Sequence, residues 1–113
     1  MKLPQRGEVW MLDLNPMRGH EQAGRRPCLV VSDDLYNAGL AEKHIVVPVT
    51  SQHKGIPYHV EILPPEGGLR MRSYVMCDDV RTVSRGRFEK RSGTVSPSTM
   101  LHVSECLRIL MSI

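Results

Sequence analysis

The sequence predicts a small, mainly β domain: a twisted, partly closed antiparallel barrel with one helix packed on it at the C-terminal end. Two observations lead there. From Glu8 to Val95, short apolar runs with the two-residue period of strands follow one another closely, separated by turn-forming residues. Only after Val95 does the apolar spacing change to that of a helix. Many short strands followed by one late helix make a sheet curled around a core and closed by that helix.

The first run, Glu8 to Leu14, alternates Val9, Met11 and Leu14 against Trp10 and Leu12, and Asn15-Pro16 ends it. Pro27 to Ser32 and Ile45 to Val49 are β-branched, almost wholly apolar runs and are expected to be buried strands. His59 to Leu63 alternates cleanly, Tyr74 to Cys77 follows a Gly-rich turn, and Thr94-Val95 follows a polar, basic connection. Ser96 or Ser98 can cap the final helix and Pro97 suits its first turn, with Met100, Val103, Leu107 and Leu110 on one face from about Ser98 to Met111.

At 113 residues the chain has room for one domain, residues 1–113, and little surplus core, so burial against a second copy would add stability. Fifteen Lys and Arg against twelve Asp and Glu, net +3, favour an anionic partner only modestly. No apolar stretch has the length of a membrane span, and the expected location is the cytoplasm. Cys28, Cys77 and Cys106 are odd in number and far apart, which fits buried thiols better than disulfides or a zinc site. The five histidines fall in no metal-binding spacing, so no metal or cofactor is expected.

Two long connections, Asn15 to Arg26 and Thr50 to Tyr58, concentrate the reactive residues. Arg26 precedes Pro27 and is therefore biased to extended backbone, which would anchor its side chain. A guanidinium there suits a phosphate, or equally a structural carboxylate. Thr50 ends its strand, where its hydroxyl either donates to a phosphate oxygen or simply caps. Between Arg81 and Arg91 lie Arg81, Arg85, Arg87, Lys90 and Arg91 with Glu89 alone, a basic patch for an anionic partner or a solvated loop.

Three blocks occur in order: Arg6-Gly7-Glu8-Val9-Trp10, then Gly19-His20-Glu21-Gln22-Ala23-Gly24-Arg25-Arg26-Pro27, then Pro48-Val49-Thr50 followed by Lys54-Gly55-Ile56-Pro57. With them the chain resembles the MazF/PemK toxins over essentially its whole length. The Cys77 to Thr82 stretch resembles that family's Asp-Gln-x-Arg/Lys element, except that Asp79 replaces the glutamine.

The resemblance implies an SH3-like, CcdB-like barrel and a toxin that cuts single-stranded RNA, such as mRNA, at specific sequences without metal. The implied chemistry is attack by the 2'-hydroxyl on the adjacent phosphate, leaving 2',3'-cyclic phosphate and 5'-hydroxyl ends. It places cleavage on Arg26 and Thr50. Glu21 is then the candidate general base, or a carboxylate that orients an arginine, and His20 is a further candidate base. RNA contacts are expected from Arg18, His20, Gln22 and Arg25 in the first loop, from Ser51, Gln52, His53 and Lys54 in the second, and from Arg81, Arg85 and Arg87. The implied partners are a second copy of the chain and a cognate antitoxin with an acidic, disordered segment. Two other readings belong to the same fold: a gyrase-poisoning toxin, which does not need the Arg26/Thr50 pair, and a catalytically degenerate paralogue that only binds an antitoxin.

Overall fold

The computed structural model describes residues 2–15 and 24–113. Seven strands form one antiparallel sheet: β1 (Glu8–Asp13), β2 (Arg25–Val30), β3 (Lys43–Thr50), β4 (His59–Ile62), β5 (Ser73–Met76), β6 (Arg81–Ser84) and β7 (Phe88–Thr94). A single helical turn, α1 (Asp34–Asn37), precedes β3, and α2 (Pro97–Met111) ends the chain. The strand path runs β4-β5-β3-β2-β1-β7, with β6 on β3, and its two end strands do not pair, so the expected partial barrel is an unclosed sheet.

β3 organises this sheet. Along one edge it pairs with β2, Val46 to Pro48 facing Val30 to Cys28. Along the other edge its first half pairs with β6, Lys43 to Val46 facing Ser84 to Arg81, and its end pairs with β5, Val49 and Thr50 facing Val75 and Tyr74. The 3₁₀ turn Cys77–Asp79 separates β5 from β6. Pro48 falls in the interval between those two ladders, where a residue without an N–H interrupts nothing.

Both faces of the sheet are buried, which is why β2 and β3 read as continuous apolar runs. Val9, Leu29, Val47, Val49 and Val75 pack under α2, against Val103 and the half-buried Met100, Cys106, Leu107 and Leu110. Trp10, Leu12, Leu14, Cys28, Val30, Val46, Val83 and Phe88 make the opposite core. Leu14 thus joins Trp10 and Leu12 instead of the Val9 side, because the two-residue period carries positions 10, 12 and 14 to one face. Glu8 is buried beneath this face; its carboxylate accepts from Gln5 N at 2.8 Å and Trp10 Nε1 at 3.0 Å and pairs with Arg91 Nε at 3.1 Å.

Residues 81–84 and 88–94 are strands and not the loop that their basic composition suggests. Both lie at sheet edges, where a polar alternation such as Arg81-Thr82-Val83-Ser84 exposes one side and gives almost no apolar signal. The β7 edge passes very close to the turn at Glu66–Gly68: a Cβ on Gly68, itself at φ +71, would sit 2.0 Å from Ser92 O. Only glycine fits there.

Helix α2 is set by its cap. Ser96 Oγ accepts from Thr99 N at 3.1 Å, Pro97 occupies the first turn, and Ser112 ends the helix in the left-handed region at φ 56. Glu66 ties this cap to the sheet, accepting from Ser96 N at 2.9 Å and Thr99 Oγ1 at 2.5 Å. Burial pushes its carboxyl pKa up, but the hydrogen bonds from Thr99 and Ser96 outweigh this and hold it below its ordinary 4.5. A depressed carboxyl pKa contributes stability that is complete above the unfolded value and lost as pH falls through the folded one. Glu66→Gln is therefore expected to cost about 1 kcal/mol at neutral pH. Thermal unfolding followed from pH 7 downward should show the wild-type advantage shrinking below about 4.5; an advantage that grows in acid would contradict it.

Candidate active site at the ends of the central strands

The β2/β3 register that pairs Cys28 with Pro48 brings Arg26 opposite Thr50 when carried two residues further along the strands. Both side chains then stand on the same face by the pleat, at the end of the two most buried strands. An arginine and a threonine 24 positions apart in sequence become cross-strand neighbours.

Arg26 is held from several sides. Its backbone pairs with Leu12 of β1, its Nη1 lies 3.5 Å from Val49 O, and its Nε is buried without a partner. A buried guanidinium N–H with no acceptor is costly and marks a place where an acceptor is expected to arrive. Thr50 is 7% exposed, and its Oγ1 accepts from Gln52 N at 3.2 Å. Because that bond uses a lone pair, the hydroxyl hydrogen stays available to donate.

Around the pair opens a cleft of about 410 Å³. Ser51, Gln52 and Lys54 line it from the β3–β4 connection, Arg25 from β2, Arg70 from the connection into β5 and Ser73 from the start of β5. Among the described residues its charged lining is cationic: Arg25, Arg26, Lys54 and Arg70. Arg25 is offset by Glu89, whose two oxygens accept from its Nε at 3.1 and 3.0 Å, while both side chains stay well exposed. Arg70 is a site residue that sequence reasoning missed. Its only signal was its place just after Gly67-Gly68, a turn that could deliver a basic side chain to a neighbouring strand end.

Arg18, His20, Glu21 and Gln22 lie outside the described residues. The two ends of the connection that carries them are joined: Leu14 N donates to Gly24 O at 2.9 Å and Gly24 N donates to Asn15 Oδ1 at 3.0 Å. Arg87 Nη1 donates to Asp13 O at 3.1 Å and to Asn15 O at 2.5 Å. Arg87 therefore braces the base of that connection and does not reach the cleft.

Arg85 also points elsewhere. It donates from Nε to His44 Nε2 at 3.2 Å and from Nη2 to Asn37 O at 2.8 Å, and pairs with Glu42 at 3.7 Å. His44 is fully buried and also bonds Asn37 Oδ1 through Nδ1 at 3.0 Å. Burial first, and the Arg85 charge second, lower its pKa and keep it neutral. With Arg91 on Glu8, most of the basic run from Arg81 to Arg91 is spent bridging neighbouring elements. Of that run, Arg81 and the exposed Lys90 are left without such a bridge.

Arg81 lies beside the cleft's arginine. It faces Val46 on β3, on the same sheet face as Arg26 and Thr50, and its Nη1 is buried without a partner. Both guanidiniums act on Cys28: burial pushes that thiol up to about 12 against the pull of Arg26 and Arg81. Cys28 is thus an inert filler beneath two cations. The third buried nitrogen without a partner among the described residues, His59 Nδ1, is on this face too; His59 Nε2 bonds Asp78 Oδ1 at 2.9 Å. His53 stacks on Tyr74 with ring centroids 5.0 Å apart. Among the described residues no group of three His, Cys, Asp or Glu side chains is placed to hold a metal ion.

A sheet end with a cationic cleft, an unsatisfied guanidinium N–H and a hydroxyl donor gathers groups of the kind that bind phosphate oxygens. Comparison with known proteins gives the chain its family. Residues 5–111 match the model of the PemK-like, MazF-like toxins of type II toxin-antitoxin systems, and the chain belongs to that family. It is similar to endoribonuclease MazF9 of Mycobacterium tuberculosis, 33% identical over 110 residues and 93% of each chain. Its fold is similar to that of MazF from Deinococcus radiodurans, at a TM-score of 0.89 and 31% identity over the full length of both. It is also similar to a mycobacterial endoribonuclease solved with its cognate antitoxin, at a TM-score of 0.78 and 25% identity over 100% of this chain and 97% of the other.

The separation of bracing from binding arginines is testable. Arg85→Ala leaves His44 Nε2 and Asn37 O without their donor and is expected to destabilise the fold by about 1–3 kcal/mol. Chemical denaturation would measure that loss, and an unchanged midpoint would return Arg85 to the surface.

Proposed function

We propose that this chain is a metal-independent, sequence-specific endoribonuclease and the toxin of a toxin-antitoxin pair. The observation that carries the reading is the Arg26/Thr50 pair, set side by side by the β2/β3 register in a cleft whose described charged residues are all cationic. Membership of a family whose relatives are endoribonucleases supports it.

In this reading the scissile phosphate of single-stranded RNA enters the cleft and takes the unsatisfied Arg26 N–H as its donor. The ribose 2'-hydroxyl loses its proton to Glu21, its oxygen attacks the adjacent phosphorus, and the bond to the 5'-oxygen of the next nucleotide breaks as that oxygen takes up a proton from water. The products are a 2',3'-cyclic phosphate and a 5'-hydroxyl end. Arg26 and the Thr50 hydroxyl stabilise charge growing on the non-bridging oxygens, the part a metal ion would otherwise play. Lys54 and Arg70 hold flanking phosphates, with Arg25, Ser51 and Gln52 at the rim. DNA binds without being cut, since it lacks the nucleophile.

The three unsatisfied nitrogens on one sheet face support a surface that is completed by something outside the single chain. A second copy of the chain and the RNA strand share that role in the proposed homodimer. An acidic, disordered antitoxin segment competes for the same cationic cleft, as the solved complex of a mycobacterial relative with its antitoxin suggests. The proposed location is the cytoplasm, where mRNA is the accessible substrate.

Incubation of a long single-stranded RNA and its DNA counterpart with purified protein in EDTA tests the mechanism. RNA-only cleavage at a recurring sequence, with cyclic phosphate ends, is expected. Arg26→Ala should slow it by about a hundred- to a thousand-fold and Thr50→Val by a smaller factor. Absence of cleavage by folded wild type would leave the gyrase-poison and degenerate readings. Arg70→Ala should weaken RNA binding without regard to sequence and reduce the slope of log affinity against log salt by about 0.7, the share of one single-strand phosphate. An unchanged slope would remove Arg70 from the phosphate path.

A further inference from the structure

The row of side chains that begins with Arg26 and Thr50 does not stop there. Thr50 faces Tyr74 across β3 and β5, and Tyr74 faces Glu61 across β5 and β4. All four stand on one face. At about 4.8 Å per strand, Glu61 lies about 10 Å from Thr50 along this row, within reach of a base attached next to the phosphate in the cleft.

The far end of the row has a different chemistry from the cleft. The His53 ring lies over Tyr74 with an interplanar angle of 35°; Tyr74 is buried, whereas His53 is exposed. Tyr74 Oη donates to Glu61 Oε2 at 3.3 Å, and Arg72 Nε sits 3.7 Å from the same oxygen. The Glu61 side chain is still 48% exposed. An exposed ion pair of this kind contributes little to folding. A carboxylate on a surface that attracts phosphates also works against RNA binding unless it meets a group other than phosphate.

Resting on the ribonuclease reading, we propose that His53, Tyr74 and Glu61 form a base-reading subsite that accepts guanine beside the scissile phosphate. The base stacks on the outer face of His53, which Tyr74 supports from beneath. The Glu61 carboxylate, oriented by Tyr74 and Arg72, accepts from guanine N1–H and the 2-amino group. Guanine is the base that fits, because its pairing edge presents two adjacent donors. Adenine and cytosine present a donor beside an acceptor, and uracil a single donor between two acceptors, so each would turn a lone pair toward a carboxylate oxygen.

The test maps cut sites on a long single-stranded RNA by sequencing the product ends, for wild type, Glu61→Gln and Tyr74→Phe. Guanine is expected at one fixed position relative to the wild-type cut. Replacing it with inosine, which lacks the 2-amino group, should lower kcat/KM about 10- to 100-fold, the worth of one hydrogen bond to a charged group. Glu61→Gln should go on cutting with that preference lost, and Tyr74→Phe should weaken it. Cut sites without a fixed guanine, or a preference intact in Glu61→Gln, would overturn the proposal. Binding of 2'-O-methyl oligonucleotides that differ only in guanine or inosine separates the two readings should wild type fail to cut. Inosine-sensitive binding that Glu61→Gln abolishes would keep the subsite and remove the nuclease, and insensitive binding would remove the subsite.

Discussion

The pairing of β3 with its neighbours is the constraint on which the rest of this structure depends. One register, Cys28 against Pro48, fixes the buried faces of β2 and β3 and sets Arg26 against Thr50. Side-chain direction alternates with a period of two, so a slip of one residue would move Arg26 into the core under α2 and Leu29 into the opposite core. The cost of burying the Arg26 charge among apolar side chains opposes that slip. Core packing and site geometry are therefore fixed by the same pairing.

The arginines divide by what surrounds them. Arg85, Arg87 and Arg91 bond to backbone carbonyls, a buried histidine and a buried glutamate, and hold α1, the Asn15–Gly24 closure and β7 to the sheet. Arg26 and Arg81 instead keep buried N–H groups with no acceptor, a cost that the folded chain alone does not recover. A cleft with unspent donors is prepared for an anionic ligand, in the way that preorganised dipoles outperform ones that must reorganise.

The sequence made several features legible. The strands with apolar alternation, the terminal helix capped by Ser96 or Ser98, of which the structure uses Ser96, and the buried thiols of Cys28 and Cys77 could be read because burial and periodicity are local properties, whereas Cys106 is only half-buried. The pairing of Arg26 with Thr50 was reachable only through resemblance to a family, since no local pattern tells which strands lie side by side. The edge strands β6 and β7 were not legible. Their exposed faces carry polar residues that look like a loop, and their pairing energy is in backbone bonds to which composition is blind.

What the sequence determined by itself is the set of groups available: a basic chain, a long polar connection ending in Arg26-Pro27, and a strand ending in Thr50. Which of those groups act together was decided by tertiary structure. It placed Arg70 in the cleft, withdrew Arg85 and Arg87 from it, and aligned Tyr74 and Glu61 with Thr50. The reason is physical. A side chain's charge belongs to the residue, but its partner is set by strand order and register, which arise only when non-local strands pair to bury their apolar faces.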